Sequence, residues 1–243
     1  MGKQGYVEQA SLAHQASLLA TAQKARIIIR NKAGWGLMTL LSLATVLLVS
    51  RYLTLNPDVF FSEQRAVYLA HLTSLMLHVI GSMTALALGP FLFLNSLRNK
   101  WPVLHRWLGR VYLLGNLVGG IGGLLLSPHA YAGFITRSGF ATLALLWLAT
   151  GLMALIRIRN GDVAAHRRWM VRNFALTLGG VMLRLQAPLL SSVLDFAVAY
   201  KIVAWTAWAP NLLVAEWLLR TRRSVVGGPV APIMRLHKVS EVV

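Results

Sequence analysis

A small set of ionisable side chains stands inside otherwise apolar stretches of this sequence: His71, His78, Arg110, Arg172, Arg184, Lys201 and Glu216. In hydrocarbon such groups are costly, so each is a candidate for function. Arg110, Arg172, Lys201 and Glu216 lie within a turn or two of the end of a run, where a long side chain reaches the headgroups. Glu216 has the further option of pairing with Arg110 or Arg172. Arg184 is different. It lies about fifteen residues into its run, roughly 22 Å from the inner end at 1.5 Å per residue. Such a cation needs an anionic partner, a cluster of carbonyls, a polar cavity or the carboxylate of a bound cofactor.

Histidine supplies the other candidates. Outside the two tails they are His71, His78, His105, His129 and His166. Two neutral imidazoles on different helices, at one depth, are what a six-coordinate haem requires. Two such pairs can be drawn, His78 with His129 near one face and His105 with His166 near the other. His71, seven residues before His78 on the same helical face, can replace it or line the same pocket. The alternative is plain anchoring, since His, Arg, Trp and Tyr collect where helices meet headgroups.

The elements that must position these residues are membrane helices. The 243 residues are 56% hydrophobic and only 13% charged, against about 25% charged in soluble domains. Six runs reach the length a helix needs to cross about 30 Å of hydrocarbon. They fall at about Gly34–Ser50, Val67–Leu94, Trp107–Ser127, Ser138–Ile156, Trp169–Val193 and Tyr200–Leu219. The alternating decamers of a membrane β-barrel are absent. The expected fold is therefore all-α, a polytopic bundle of six transmembrane helices.

Net charge, +17 from 24 Lys and Arg against 7 Asp and Glu, carries the orientation. Arg51, Arg65 and Arg137 alone fall in the odd-numbered connections, and the other basic residues outside the spans occupy the tails and even-numbered connections. This alternation places both termini in the cytoplasm. It also suits anionic lipid on that side, and the apolar runs exclude a nucleic-acid module. Residues 1–33 form a basic tail, amphipathic or unstructured; 34–219 form the six-helix domain; 220–243 form a second basic tail. No secretory signal is evident, and the zero cysteine count removes thiolate chemistry.

Two copies of one pattern open spans three and five. His105-Arg106-Trp107 continues to Arg110 and Tyr112, and His166-Arg167-Arg168-Trp169 continues to Arg172 and Phe174. Gly115, Gly119, Gly120, Gly122 and Gly123 give span three a face for close packing of a helix or a flat macrocycle. Gly89-Pro90 and Pro210-Asn211 are expected kinks. No phosphate loop, dinucleotide fingerprint or zinc-protease motif is present.

The stretch from His105 to Tyr112 resembles one signature of a bacterial predicted-membrane-protein family, the domain-of-unknown-function family 2306. So does Gly161-Asp162 followed by His166 to Arg172, with Ala175-Leu176-Thr177 and Arg184. His78, Gly81, Gly89 and Pro90 are similar too, as is Trp208-Ala209-Pro210-Asn211 with Glu216. The likeness covers about residues 67–220 and implies a bacterial inner membrane. Asn173-Phe174 departs from the Ser-Tyr expected there, removing a hydroxyl. A looser similarity, in the order His78, His105, His129, His166, is to transmembrane cytochromes of the b-561 and ferric-reductase type. It implies one or two haem b groups, with Arg110 and Arg172 near propionates and Arg184 balancing buried negative charge.

Haem-mediated electron transfer, with a membrane oxidoreductase as its enzymatic form, is thus the leading expectation. A small-molecule or ion transporter, with His78, Arg184, Asn211 and Glu216 along a midplane path, is the second. A non-catalytic subunit that packs against a membrane-complex partner or a second copy through the glycine face is the third.

Overall fold

Inside a bilayer no water is available to bond the main chain, so apolar runs satisfy their own backbone groups as helices. The computed structural model describes residues 32–226, and among the described residues every regular element is helical. Residues 1–31, with the expected amphipathic stretch, and 227–243 lie outside the described residues, while 220–226 of the expected C-terminal tail continue the last helix. The helices are α1 (32–50), α2 (Arg65–Ala70), α3 (Leu72–Leu92), α4 (Asn95–Lys100), α5 (Pro102–Leu126), α6 (Phe134–Arg159), α7 (Val163–Thr177), α8 (Gly179–Ser191), α9 (Phe196–Thr206) and α10 (Ala209–Val226). They make six spans long and apolar enough to cross a membrane, the last two each built from two helices in line.

Three breaks shape the bundle. The expected continuous span from Val67 divides at His71, whose φ of −123° and ψ of 41° leave the helical region and set α2 apart from α3. A turn at Leu178 separates α7 from α8. The sixth span breaks at Ala207–Trp208, just ahead of Pro210, which lacks the N–H an uninterrupted helix requires. Pro90, by contrast, stays inside α3 near its end, and its carbonyl accepts a hydrogen bond from Trp35 Nε1 at 2.9 Å.

Burial is inverted relative to a soluble protein. Leu47 is 76% exposed, Phe134 83% and Val193 78%, whereas Asn173, Tyr112 and Thr136 are fully buried. A surface this apolar is stable only against lipid.

The tightest joint is α3 against α5. Added Cβ atoms would meet Gly81 O from Gly115 at 2.9 Å and Ser82 N from Gly119 at 2.8 Å. The glycine face of span three is therefore used within the chain, against α3, and is not open to a partner. Elsewhere Gly89 leaves room for the ring of Phe174, which joins Tyr112, Trp147, Leu176 and Trp208 in the main apolar cluster.

Candidate functional site: a buried arginine and three tyrosines on a membrane cavity

Breaking the second and fifth spans brings short helices over the middle of the bundle and leaves a cavity of about 210 Å³. Its apolar wall is Val49, Leu75, Val79, Leu86, Leu143 and Leu183, with the glycines of α5 on one side. Polar groups converge on it from separate elements: Tyr52 after α1, Gln64 and Tyr68 at α2, His78 and Ser82 on α3, Thr177 on α7, Arg184 on α8 and Tyr200 on α9. Among the described residues, no Asp or Glu lines it.

Arg184 is the charged centre. One guanidinium nitrogen, Nη1, donates to the Gly180 carbonyl of its own helix at 3.2 Å. The phenols of Tyr52, Tyr68 and Tyr200 lie within electrostatic reach, and so does His78. The described carboxylates are engaged elsewhere. Asp58 pairs with Arg65, Glu63 accepts from Ser62, Asp162 and Asp195 cap α7 and α9, and Glu216 pairs with Arg172. Arg184 is left with neutral oxygen partners and an open cavity.

Tyr68 stays neutral. Burial pushes the Tyr68 phenol well above its ordinary value, reinforced by Tyr200 and Tyr52 and only partly opposed by Arg184. Its hydroxyl is thus a hydrogen-bond donor at neutral pH. Gln64, 4% exposed beside Tyr200, has a buried Oε1 without a partner. An unpaired buried acceptor costs about 1–3 kcal/mol, so this atom suits a donor on a bound molecule.

His78 is held for a role. Its Nδ1 bonds the Gly119 carbonyl at 2.9 Å, with Ser82 Oγ 3.5 Å from the same nitrogen. A carbonyl only accepts, so Nδ1 carries the proton and Nε2 is the ring's available acceptor. Gly123 makes the space, since a Cβ there would sit 2.8 Å from Nδ1.

The other histidines are arranged differently from the expected pairs. His129 does not face His78; its ring stacks on His71 with centroids 4.0 Å apart and planes 24° apart. Face to face at that separation, the two leave no room for a macrocycle between them. The break at His71 swings its ring towards the turn at Ser127–His129. His105 and His166 lie within electrostatic reach of each other at the start of α5 and α7. His166 Nδ1 bonds the Ala154 carbonyl at 2.9 Å, and His105 Nδ1 is buried without a partner.

The repeated motif yields repeated geometry. Arg110 lies over the ring of Trp107 and Arg172 over that of Trp169, each 4.7 Å from the centroid. Three residues on a helix place the pair on one face. Arg172 also takes Glu216 through two nitrogens, with Nη2–Oε2 at 3.0 Å, so the choice left open for Glu216 falls to Arg172. Neither Glu216 nor Asn211 lines the cavity; Asn211 donates to the Ala207 carbonyl of the preceding turn.

Sequence reasoning passed over the tyrosines and Gln64. Tyr52 and Tyr68 sit beside span ends, where aromatic residues serve as anchors, and the path of the chain between α1 and α3 turns them inward. It also passed over a buried network below the cavity. Tyr112 OH donates to Asn173 Oδ1 at 2.7 Å, Trp147 Nε1 to Thr177 Oγ1 at 2.8 Å, and Asn173 Nδ2 to the Trp147 carbonyl at 2.9 Å. Asn173, which departs from the family pattern, is its hub, and Phe174 packs on Gly89 rather than on the cavity. Asparagine inside an apolar run was the available signal.

Fold and site together define a polytopic helical membrane protein with an internal cavity. The chain belongs to the predicted membrane protein family DUF2306, whose family model matches residues 75–219, more than half of its length. No curated protein and no solved structure matches it.

Proposed function

We propose that this protein binds a small amphipathic molecule within the membrane, one with an apolar body and an anionic or carbonyl head, and carries it across the bilayer. The observation that supports this most is Arg184, a cation deep in the fifth span that has no carboxylate and opens on an apolar cavity. A buried cation in that setting draws an acceptor group. The phenols of Tyr52, Tyr68 and Tyr200 add donors to that head, and Gln64 Oε1 and His78 Nε2 accept from a hydroxyl or protonated carboxyl group on the same molecule. Few polar groups converging in an apolar pocket are the usual make-up of a small-molecule site. At about 210 Å³ the cavity suits a medium-chain carboxylate.

Haem-mediated electron transfer draws less support from this arrangement. His129 is turned to His71, His78 stands alone on the cavity, and that cavity is below the roughly 300–1,000 Å³ of drug-sized pockets. A macrocycle is larger than most occupants of those.

The test is uptake of radiolabelled octanoate into proteoliposomes. The wild-type chain is expected to accelerate uptake over empty vesicles, and Arg184→Gln to abolish the acceleration. Equal rates for the two proteins would overturn the proposal. A reduced-minus-oxidised visible spectrum of protein made with haem supplied decides the electron-transfer alternative.

A further inference from the structure

At the opposite end of the bundle from Tyr52 and Tyr68, basic side chains gather with no ion pair among the described residues. Arg98 lies in α4, the short helix that joins α3 to α5; His105 lies in the first turns of α5, and His166 and Arg167 in the first turn of α7. Arg98 and Arg167 are within electrostatic reach of each other, and His105 is within reach of Arg98, His166 and Arg167. Neither ion pair found among the described residues involves any of them. Asp162, the acid nearest in sequence, is committed to the backbone N–H of Ala165 at the cap of α7.

Two nitrogens in the group are buried and unpaired, Arg98 Nε and His105 Nδ1. Arg98 is held from its other side, where Nη2 donates to Asn95. His166 is oriented through Nδ1 by the Ala154 carbonyl. Like charges brought together repel, and unpaired buried donors cost free energy, unless an anion is shared among them. Trp101 and Trp107, 63% and 59% exposed, flank His105 and mark headgroup depth. At that depth the abundant anion is a phosphate.

We propose that Arg98, His105, His166 and Arg167 form a phosphate-binding site at the membrane surface, filled by the phosphodiester of an anionic lipid or by free phosphate. Guanidinium forks match phosphate oxygens bidentately, and an imidazole adds a donor in its protonated form, which a bound phosphate favours. The site is separate from the cavity and does not depend on what the cavity binds.

The experiment uses the full chain in a neutral detergent, with thermal midpoint as readout and phosphatidylglycerol, phosphatidylcholine or inorganic phosphate as probe. Phosphatidylglycerol is expected to raise the midpoint and phosphatidylcholine to leave it unchanged. A double variant, Arg98→Gln with Arg167→Gln, should need at least about tenfold more phosphatidylglycerol for the same rise, whereas Arg51→Gln should behave as wild type. Arg98→Lys with Arg167→Lys, which keeps the charge, should retain most of the effect and guards against a folding defect in the glutamine variant. A rise with millimolar phosphate, over chloride at equal ionic strength, assigns the site to the free ion; a rise with the lipid alone assigns it to the headgroup. No rise with either, an equal rise with phosphatidylcholine, or an undiminished rise in the glutamine variant would overturn the proposal.

Discussion

His78 reaches from α3 to the main chain of α5, its Nδ1 2.9 Å from the Gly119 carbonyl. Side chain and backbone meet there because glycines let the two helices come together almost without side chains between them. That one bond sets the ring's tautomer and gives Nε2 to the cavity. Position, tautomer and helix packing are therefore a single property.

Glycine substitutions along this joint should show it. A Cβ on Gly122 would overlap the His78 backbone, while one on Gly109 meets nothing within 4 Å. Gly122→Ala is expected to lower the thermal midpoint in detergent by an amount equivalent to about 1–3 kcal/mol, the usual cost of overpacking. Gly109→Ala should leave it unchanged or raise it slightly, as alanine is the better helix former by about 1 kcal/mol. Equal effects would mean that the close approach is unimportant.

Arg184 carries the proposed binding. Replacing it by Gln removes a charged hydrogen-bonding partner worth about 1.5–3 kcal/mol, and octanoate affinity should fall by about 10- to 100-fold. Arg184→Lys keeps the charge but loses the planar fork and should fall in between. Equilibrium binding of radiolabelled octanoate to the purified protein provides the titration.

Glu216 and Arg172 hold α10 to α7. With both side chains partly buried, removing one leaves the other charge uncompensated. Glu216→Gln and Arg172→Gln should each destabilise by about 1–3 kcal/mol, and the double variant by less than the sum. A thermal-melt double-mutant cycle measures that coupling; strict additivity would argue against the pair.

Tyr68 gives a pH dependence of definite sign. Its folded value is raised above the ordinary phenol value of 10.0 by burial. Folded and unfolded chains are alike below that value, so its contribution is fully present there and is lost as pH rises through the folded value. Melting midpoints between pH 8 and 11 should decline at the alkaline end, and the decline should be smaller in Tyr68→Phe. Absorbance at 295 nm reports tyrosinate directly, and a Tyr68 signal near pH 10 would contradict its burial.

Much of this protein is written along the chain. Apolar runs of about twenty residues can only be helices in lipid, which made six spans legible from hydropathy. The Trp–Arg spacing of three residues places both on one helical face, so the two stacked pairs were implicit in the repeated motif. The depth of Arg184 followed from counting 1.5 Å per residue. Those properties are local, or depend only on the contrast between chain and solvent.

Pairings across the bundle were not written there. That His129 meets His71 instead of His78 depends on a backbone break at one residue. That Tyr52, Gln64 and Tyr68 turn to the cavity that Arg184 and Tyr200 also line depends on how the segment between α1 and α3 folds inward, which hydropathy does not record. An aromatic near a span end reads the same whether it faces headgroups or a cavity. The sequence determined how many spans there are and where along each one its charges fall; only packing decided which side chains share the space between them, because contact is a property of several helices at once.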